Sequence, residues 1–298
     1  MGHHHDHDVQ NYSRAFAIGI ILNVVFVIIE FGFGLYSDSL ALVADAGHNL
    51  SDVVSLLLAW GASALASRPA TETRTYGFKK ATILASLASA IILLFALGAI
   101  AWEAVGRFNN PAHVEGATMI IVAAIGVFIN TVTALLFVRG QKEDLNIRGA
   151  FLHMAADAGV SLGVVISGVI IIYTGWLWVD PVISLLIVAV VFVGTWNLLH
   201  DSVNFAMDCV PESVDVGRIR QYLLDLDRVC SIHDLHVWPL STTEVALTVH
   251  LVVSDESLDN DFVVGVQSEL HDRFKIEHST IQVEIKEEKI NCRLVDNC

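Results

Sequence analysis

Long apolar runs with short polar breaks fill residues 13 to 206, and shorter alternating runs fill 208 to 290. A helix that crosses a bilayer needs about 20 mostly apolar residues. Six stretches reach that length: 14–35, 40–66, 80–105, 115–138, 147–174 and 179–204. The breaks hold residues that stop helices, among them Arg68-Pro69, Asn109-Asn110-Pro111 and the segment from Gly175 to Pro181. The pattern predicts a polytopic α-helical membrane protein with six transmembrane helices.

The second part reads differently. Val214 to Leu226 has helical spacing, with Ile219, Leu223 and Leu226 on one side. Val229 to Trp238 and Glu244 to Val253 read as strands. In the second of these, Val245, Leu247, Val249 and Leu251 face one way while Glu244, Thr248 and His250 face the other. Phe262, Val266, Leu270 and Phe274 form an i, i+4 stripe, and Thr280 to Glu287 alternates again with Ile281, Val283 and Ile285 inward. The order αββαβ predicts a small α+β domain with helices on one sheet face. The acidic stretch 255–261 reads as a solvated loop. The expected organisation is a His-rich N-terminus (1–12), a transmembrane domain (13–207), a C-terminal cytosolic domain (208–290) and a tail (291–298).

Composition sharpens this division. The 298 residues are 54% hydrophobic and only 16% charged, against roughly a quarter charged in soluble chains. The net charge of −15 argues against nucleic acid, which calls for a basic face. Loop charges set the expected topology. Eight Lys and Arg lie in the N-terminal, 67–80 and 139–148 segments, against Arg107 alone on the other side. Both termini are therefore expected in the cytoplasm. The first apolar stretch lacks a basic n-region and a small-residue cleavage site, so no cleaved leader is expected. Cys209, Cys230, Cys292 and Cys298 all fall in the cytosolic part and are expected as thiols.

The candidate chemistry lies inside two of the apolar stretches. His48 and Asp52 stand four apart in the second, and His153 and Asp157 four apart in the fifth. Residues i and i+4 share a helix face. Neither span supplies an internal Lys or Arg to neutralise the acids, and a buried carboxylate without a partner is heavily penalised. If the two spans pack together, two imidazoles and two carboxylates form a tetrahedral set that suits Zn(II), with Cd(II), Co(II) or Fe(II) as chemical relatives. Asp45 and Asn49 read either as partners that orient an imidazole or as the polar start of the helix. Asn23, Glu30, Glu103 and Asn130 are further intramembrane polar groups, and Gly159-x-x-x-Gly163 reads as a packing face on the back of the fifth span.

Metal binding needs neutral imidazole and ionised carboxylate, so it competes with protons. Exporting a divalent ion from a negative-inside cell costs roughly 4.6 kcal/mol per 100 mV, and each proton carried inward returns about half of that. The expected function is proton-coupled efflux of a divalent metal. An enzyme is not expected, because His-Glu-x-x-His is missing and four protein ligands leave no open position for water. The alternative is a membrane-bound zinc sensor or regulator without transport.

The chain resembles the cation diffusion facilitator family of zinc transporters. The resemblance is carried by the two His-x-x-x-Asp pairs, by Ser39-Leu-Ala-Leu-Val-Ala-Asp-Ala-Gly-His48, by Asn146 to Asp157, and by His233-Asp-Leu-His-Val-Trp238. It implies a homodimer in the bilayer, metal/proton antiport out of the cytosol across a bacterial inner (plasma) membrane, and a metallochaperone-like C-terminal domain that binds cytosolic Zn(II). It also implies tail ligands at His233, His250, His278 and Glu284. Cys292 and Cys298 stand where some relatives carry a closer cysteine pair. Lys80 and Asp208 match a pair that interlocks the dimer. The loop after the second span offers Glu72 but no His, so a second loop site of the family is expected to be missing. The His3-His-His-Asp-His-Asp8 run reads as a metal-capturing segment or as an appended tag.

Overall fold

A computed structural model describes residues 13–36, 40–109, 116–254 and 260–285. It divides the chain into two compact units. The first is made of six long helices: α1 (Ser13–Tyr36), α2 (Leu40–Ala66), α3 (Ala81–Asn109), α4 (Gly116–Phe137), α5 (Leu145–Thr174) and α6 (Val179–Ala206). The second holds α7 (Val216–Leu224), β1 (Val229–Pro239), β2 (Val245–Val253), α8 (Asn260–Phe274) and β3 (His278–Ile285). The segment 70–80, between α2 and α3, packs with this second unit.

Among the described residues, five of the six long helices carry an apolar stretch able to cross a membrane: α1, α3, α4, α5 and α6. The sixth, α2, has 27 residues, about 40 Å at 1.5 Å per residue, which also exceeds the hydrocarbon core. Its first half carries Asp45, His48, Asn49 and Asp52, and Val53 to Ala66 after them holds no charged residue.

The helices are arranged for lipid rather than water. On α1, Phe16, Asn23, Phe26 and Glu30 are buried, while Ile18, Ile21, Val25 and Ile28 point outward. The polar groups lie inside and the aliphatic ones outside, the reverse of a soluble helix. Trp102, Phe95, Phe128 and Tyr173 add to the outward apolar surface.

Close helix contacts depend on missing side chains. A Cβ on Gly19 of α1 would lie 2.9 Å from Thr133 Cγ2 of α4. Gly159 and Gly163 place α5 against Ile187 and Ile183 of α6, where a Cβ on Gly163 would meet Ile187 Cδ1 at 2.8 Å. This small-residue stripe therefore packs one helix on the next. The ends of α5 follow local rules. The Asp144 side chain accepts from the Asn146 N–H at the N-cap, and Gly175, at φ 72, closes the C-terminus with its N–H on the Ile171 carbonyl.

The second unit is a three-stranded sheet of order β1-β2-β3. β1 and β2 are antiparallel, and β2 and β3 parallel. The parallel pair requires a crossover, which α8 supplies. Val245, Leu247, Val249, Leu251 and Val253 of β2 form a core with Ile219 and Leu223 of α7 and Val266 and Leu270 of α8. Both helices thus cover one face of the sheet, as the alternation predicts. β1 departs from regular pairing between His233 and His236. Asp234 there has φ 52, in the left-handed region.

Candidate metal centres

The first centre lies in the helical unit. α5 puts His153 and Asp157 on one face, with His153 Nε2 4.0 Å from Asp157 Oδ2 and side chains only 9% and 10% exposed. A small cavity beside His153 is lined by Leu56 and Ala59 of α2, Ser89 of α3, and Gly149 and Ala150 of α5. Leu56 follows Asp52 by four residues and His48 by eight, so all three positions share one face of α2. Of these three, Leu56 lines the cavity beside His153. The side chains of Asp45, His48 and Asp52 lie outside the described residues. His153 and Asp157 meet each other, and α2 brings Leu56 and Ala59 to the cavity beside His153.

Asn49 takes a role that neither sequence reading foresaw. Its amide donates to Glu30 Oε2 at 2.6 Å, with both residues buried. This bond ties α2 to α1 next to His48. Asn23 donates to the Gly19 carbonyl and approaches Met154 Sδ at 3.5 Å, which links α1 to α5. Arg148 of α5 holds Asp201 of α6 at 2.6 Å, both mostly buried. Glu103 pairs with Arg107 one turn on along α3.

The second centre lies on the sheet. Glu284 of β3 receives two imidazoles: His250 Nδ1 at 2.9 Å from Oε1 and His233 Nε2 at 3.1 Å from Oε2. The His233 and His250 rings meet edge to face, with centroids 4.8 Å apart. One donor atom from each of the three residues falls within 4.8 Å of the others. His250 is buried although it lies on the polar side of β2, because the central strand is covered on both faces. Gln282 donates to Glu284 Oε1 at 2.9 Å and helps fix the carboxylate.

The fourth expected tail ligand, His278, lies apart from these three within the chain. His278 opens β3 and pairs with Ala246, whereas Glu284 pairs with Val252. Six residues of extended strand separate them, roughly 20 Å at 3.3 Å per residue. His278 is exposed and packs edge-on against Tyr76 at 5.4 Å instead. Cys292, Cys298 and the N-terminal His run lie outside the described residues, as does 255–259 of the acidic loop.

Lys80 and Asp208 do meet. Nζ lies 2.7 Å from Oδ1 within a single chain, with both side chains half exposed. Next to this pair, Lys79 bonds Glu244, the residue before β2. Two members of the His233-Asp-Leu-His236 motif went unread in the sequence. Asp234 Oδ1 takes a hydrogen bond from His236 Nε2 at 2.9 Å, and its Oδ2 lies 3.5 Å from His250 Nε2. The motif itself was the available signal.

Comparison with known proteins matches both units. A family model described as the cation efflux transmembrane domain covers residues 16–204. A second, described as the cytoplasmic domain of cation efflux proteins, covers 211–286. The metal cation efflux system protein CzcD of Cupriavidus metallidurans is 38% identical, over 95% of this chain and 90% of its own length. The cadmium, cobalt and zinc/H(+)-K(+) antiporter of Bacillus subtilis is 35% identical, over 95% and 92%. The zinc transporter ZitB of Escherichia coli is 35% identical, over 95% and 93%.

Proposed function

The chain belongs to the cation efflux family, and on that premise we propose that it exports Zn(II) from the cytosol in exchange for protons, through His48, Asp52, His153 and Asp157. It is an integral membrane transporter of metal cations and not an enzyme. The observation that carries the proposal is the His153–Asp157 pair. It is buried in an apolar helix, beside a cavity lined by Leu56 and Ala59 of α2, and Leu56 lies one helical turn after Asp52 in the sequence.

Two imidazoles and two carboxylates favour Zn(II) over harder ions. The name of the zinc transporter ZitB supports that choice, and the antiporter from Bacillus subtilis supports both a proton counter-flow and some tolerance of cadmium and cobalt. Protons serve as the counter-substrate because imidazole and carboxylate bind either a proton or the metal. In this reading the loaded site faces the cytosol, the helices reorient, and outside protons displace the ion.

The tail site is assigned to His233, His250 and Glu284. Two nitrogens and one carboxylate within 4.8 Å of each other fit Zn(II), which takes such donors at about 2.0–2.2 Å. His278 is left out of that set. The protein works as a homodimer, with the Lys80–Asp208 pair at the junction of α3 and the cytosolic domain, and with both termini in the cytoplasm of a bacterial cell.

The test uses proteoliposomes, with a zinc dye and a pH dye in the lumen. Zinc entry with opposing proton flow, lost in Asp157→Ala, is the expected result. Zinc entry that survives the substitution sinks the cage. Absence of flux in the unsubstituted protein, with zinc still bound by the tail, sinks transport and leaves the sensor reading.

A further inference from the structure

Consecutive residues of a regular strand point to opposite faces. β1 breaks this rule at the tail site. His233 and Asp234 are neighbours in sequence, yet both reach His250 across the sheet. The His233 ring packs on the His250 ring at 4.8 Å, and Asp234 Oδ2 lies 3.5 Å from His250 Nε2. The break is made by the pairing irregularity between His233 and His236 and by φ 52 at Asp234. That conformation is uncommon for residues other than glycine, and aspartate is among those that accept it. Strand irregularities of this kind re-aim side chains beside functional sites.

We propose that Asp234 is a positioning residue that fixes His250 in the tautomer able to bind metal. The proposal rests on the reading of His233, His250 and Glu284 as a tail metal site. A neutral imidazole carries one N–H and one lone pair. Both nitrogens of His250 face carboxylates: Nδ1 faces Glu284 and Nε2 faces Asp234. Nδ1 lies on the side shared with His233 and Glu284, so it must present the lone pair to a metal. The proton then sits on Nε2, which faces the charge of Asp234 Oδ2 at 3.5 Å. Asp234 is itself held from outside, because its Oδ1 accepts from His236 Nε2 at 2.9 Å. His236–Asp234–His250 is thus a relay in which the outer imidazole steadies the carboxylate and the carboxylate steadies the ligand. His233 has no such support: its Nδ1 is buried with no hydrogen-bond partner among the described residues. The orientation of the pair therefore depends on Asp234.

The experiment uses the full chain in detergent, with the membrane cage disabled by Asp52→Ala and Asp157→Ala. Zn(II) affinity is read by competition with a chromophoric chelator, and the ligand set by the visible absorption of bound Co(II). Asp234→Gly keeps the left-handed backbone open and removes the carboxylate. Asp234→Asn keeps one acceptor oxygen. Loss of such a supporting partner typically costs 10- to 100-fold in metal affinity. The expected result is about that loss for Asp234→Gly, a smaller loss for Asp234→Asn, an unchanged Co(II) spectrum and an unchanged melting temperature of the metal-free chain. A changed Co(II) spectrum makes Asp234 a direct ligand and overturns the proposal. Affinity within twofold of the parent for Asp234→Gly, while His250→Ala abolishes binding, overturns it and leaves the tail site standing. Unchanged affinity in His250→Ala and Glu284→Ala removes the tail site and the proposal together.

Discussion

Asn49 offers the sharpest test of how the membrane centre is held. Its amide bonds Glu30 at 2.6 Å in the interior of the helical unit, with Glu30 only 1% and Asn49 only 6% exposed. A hydrogen bond to an acidic group contributes about 1.5–3 kcal/mol, and leaving a buried acceptor short of a donor costs a similar amount. His48 is the preceding residue, so the bond fixes the rotation of α2 about its own axis, and positions 48 and 52 turn with it. Asn49→Ala is therefore expected to weaken Zn(II) binding at the membrane centre by roughly 10- to 100-fold, taking 1.4 kcal/mol per factor of ten. Binding is measured by chelator competition on the full chain with the tail site removed by Glu284→Ala. Glu30→Ala completes a double-mutant cycle. If the two side chains act as one anchor, the double variant binds no worse than the weaker single variant. Wild-type affinity in Asn49→Ala, or losses that simply add, would refute the reasoning.

Three further outcomes follow from the second unit. Leu247 is fully buried between the sheet and both helices, so Leu247→Ala should cost about 2–5 kcal/mol, read as faster amide hydrogen exchange across β1 to β3 with the spans unaffected. The Lys80–Asp208 pair is half exposed on both sides and contributes about 0.2–1 kcal/mol. Lys80→Ala should shift the melting temperature by only a degree or two, a shift that fades in 1 M salt, and a large salt-independent loss would mean that the pair is buried in the dimer. The His271 pKa is raised, first by its hydrogen bond to Asp272 and then, against the opposing effect of burial, by the charges of Glu277 and Asp272. A raised folded-state pKa gives stability that is complete below about pH 6.5 and lost as pH rises through the folded value. The urea midpoint of the metal-free chain should therefore fall with rising pH over that range, and His271→Gln should flatten that part of the curve.

The fold was legible because each element keeps one period along its length. Residues of α1 alternate between an outward aliphatic stripe and an inward one bearing Asn23 and Glu30, and their sum is a long apolar run. In β2 the inward positions 245, 247, 249, 251 and 253 build the core with α7 and α8. The burial of His250 was not legible. Alternation put it on the polar side, but a central strand with neighbours on both edges is covered on that side as well. The Asn49–Glu30 bond was hidden for a related reason: apolar periodicity shows which helices are membrane-facing and says nothing about which two polar groups inside them meet.

His278 and Asp234 show where the same limit reaches the chemistry. A two-residue period gives His278 and Glu284 the same face of β3, and family resemblance then joins them as ligands. Parity fixes the face but not the position along the strand, and six residues of extended chain place them roughly 20 Å apart. The opposite error hides Asp234. Parity assigns it to the face away from His233, and only the left-handed turn at φ 52 brings it back to the same imidazole. Local backbone departures from the regular period therefore decide which members of a His/Asp-rich strand can share one ion. In this chain the departure falls within the His233-Asp-Leu-His236 motif, so substitutions that restore regular pairing there should scatter the site even when every ligand is retained.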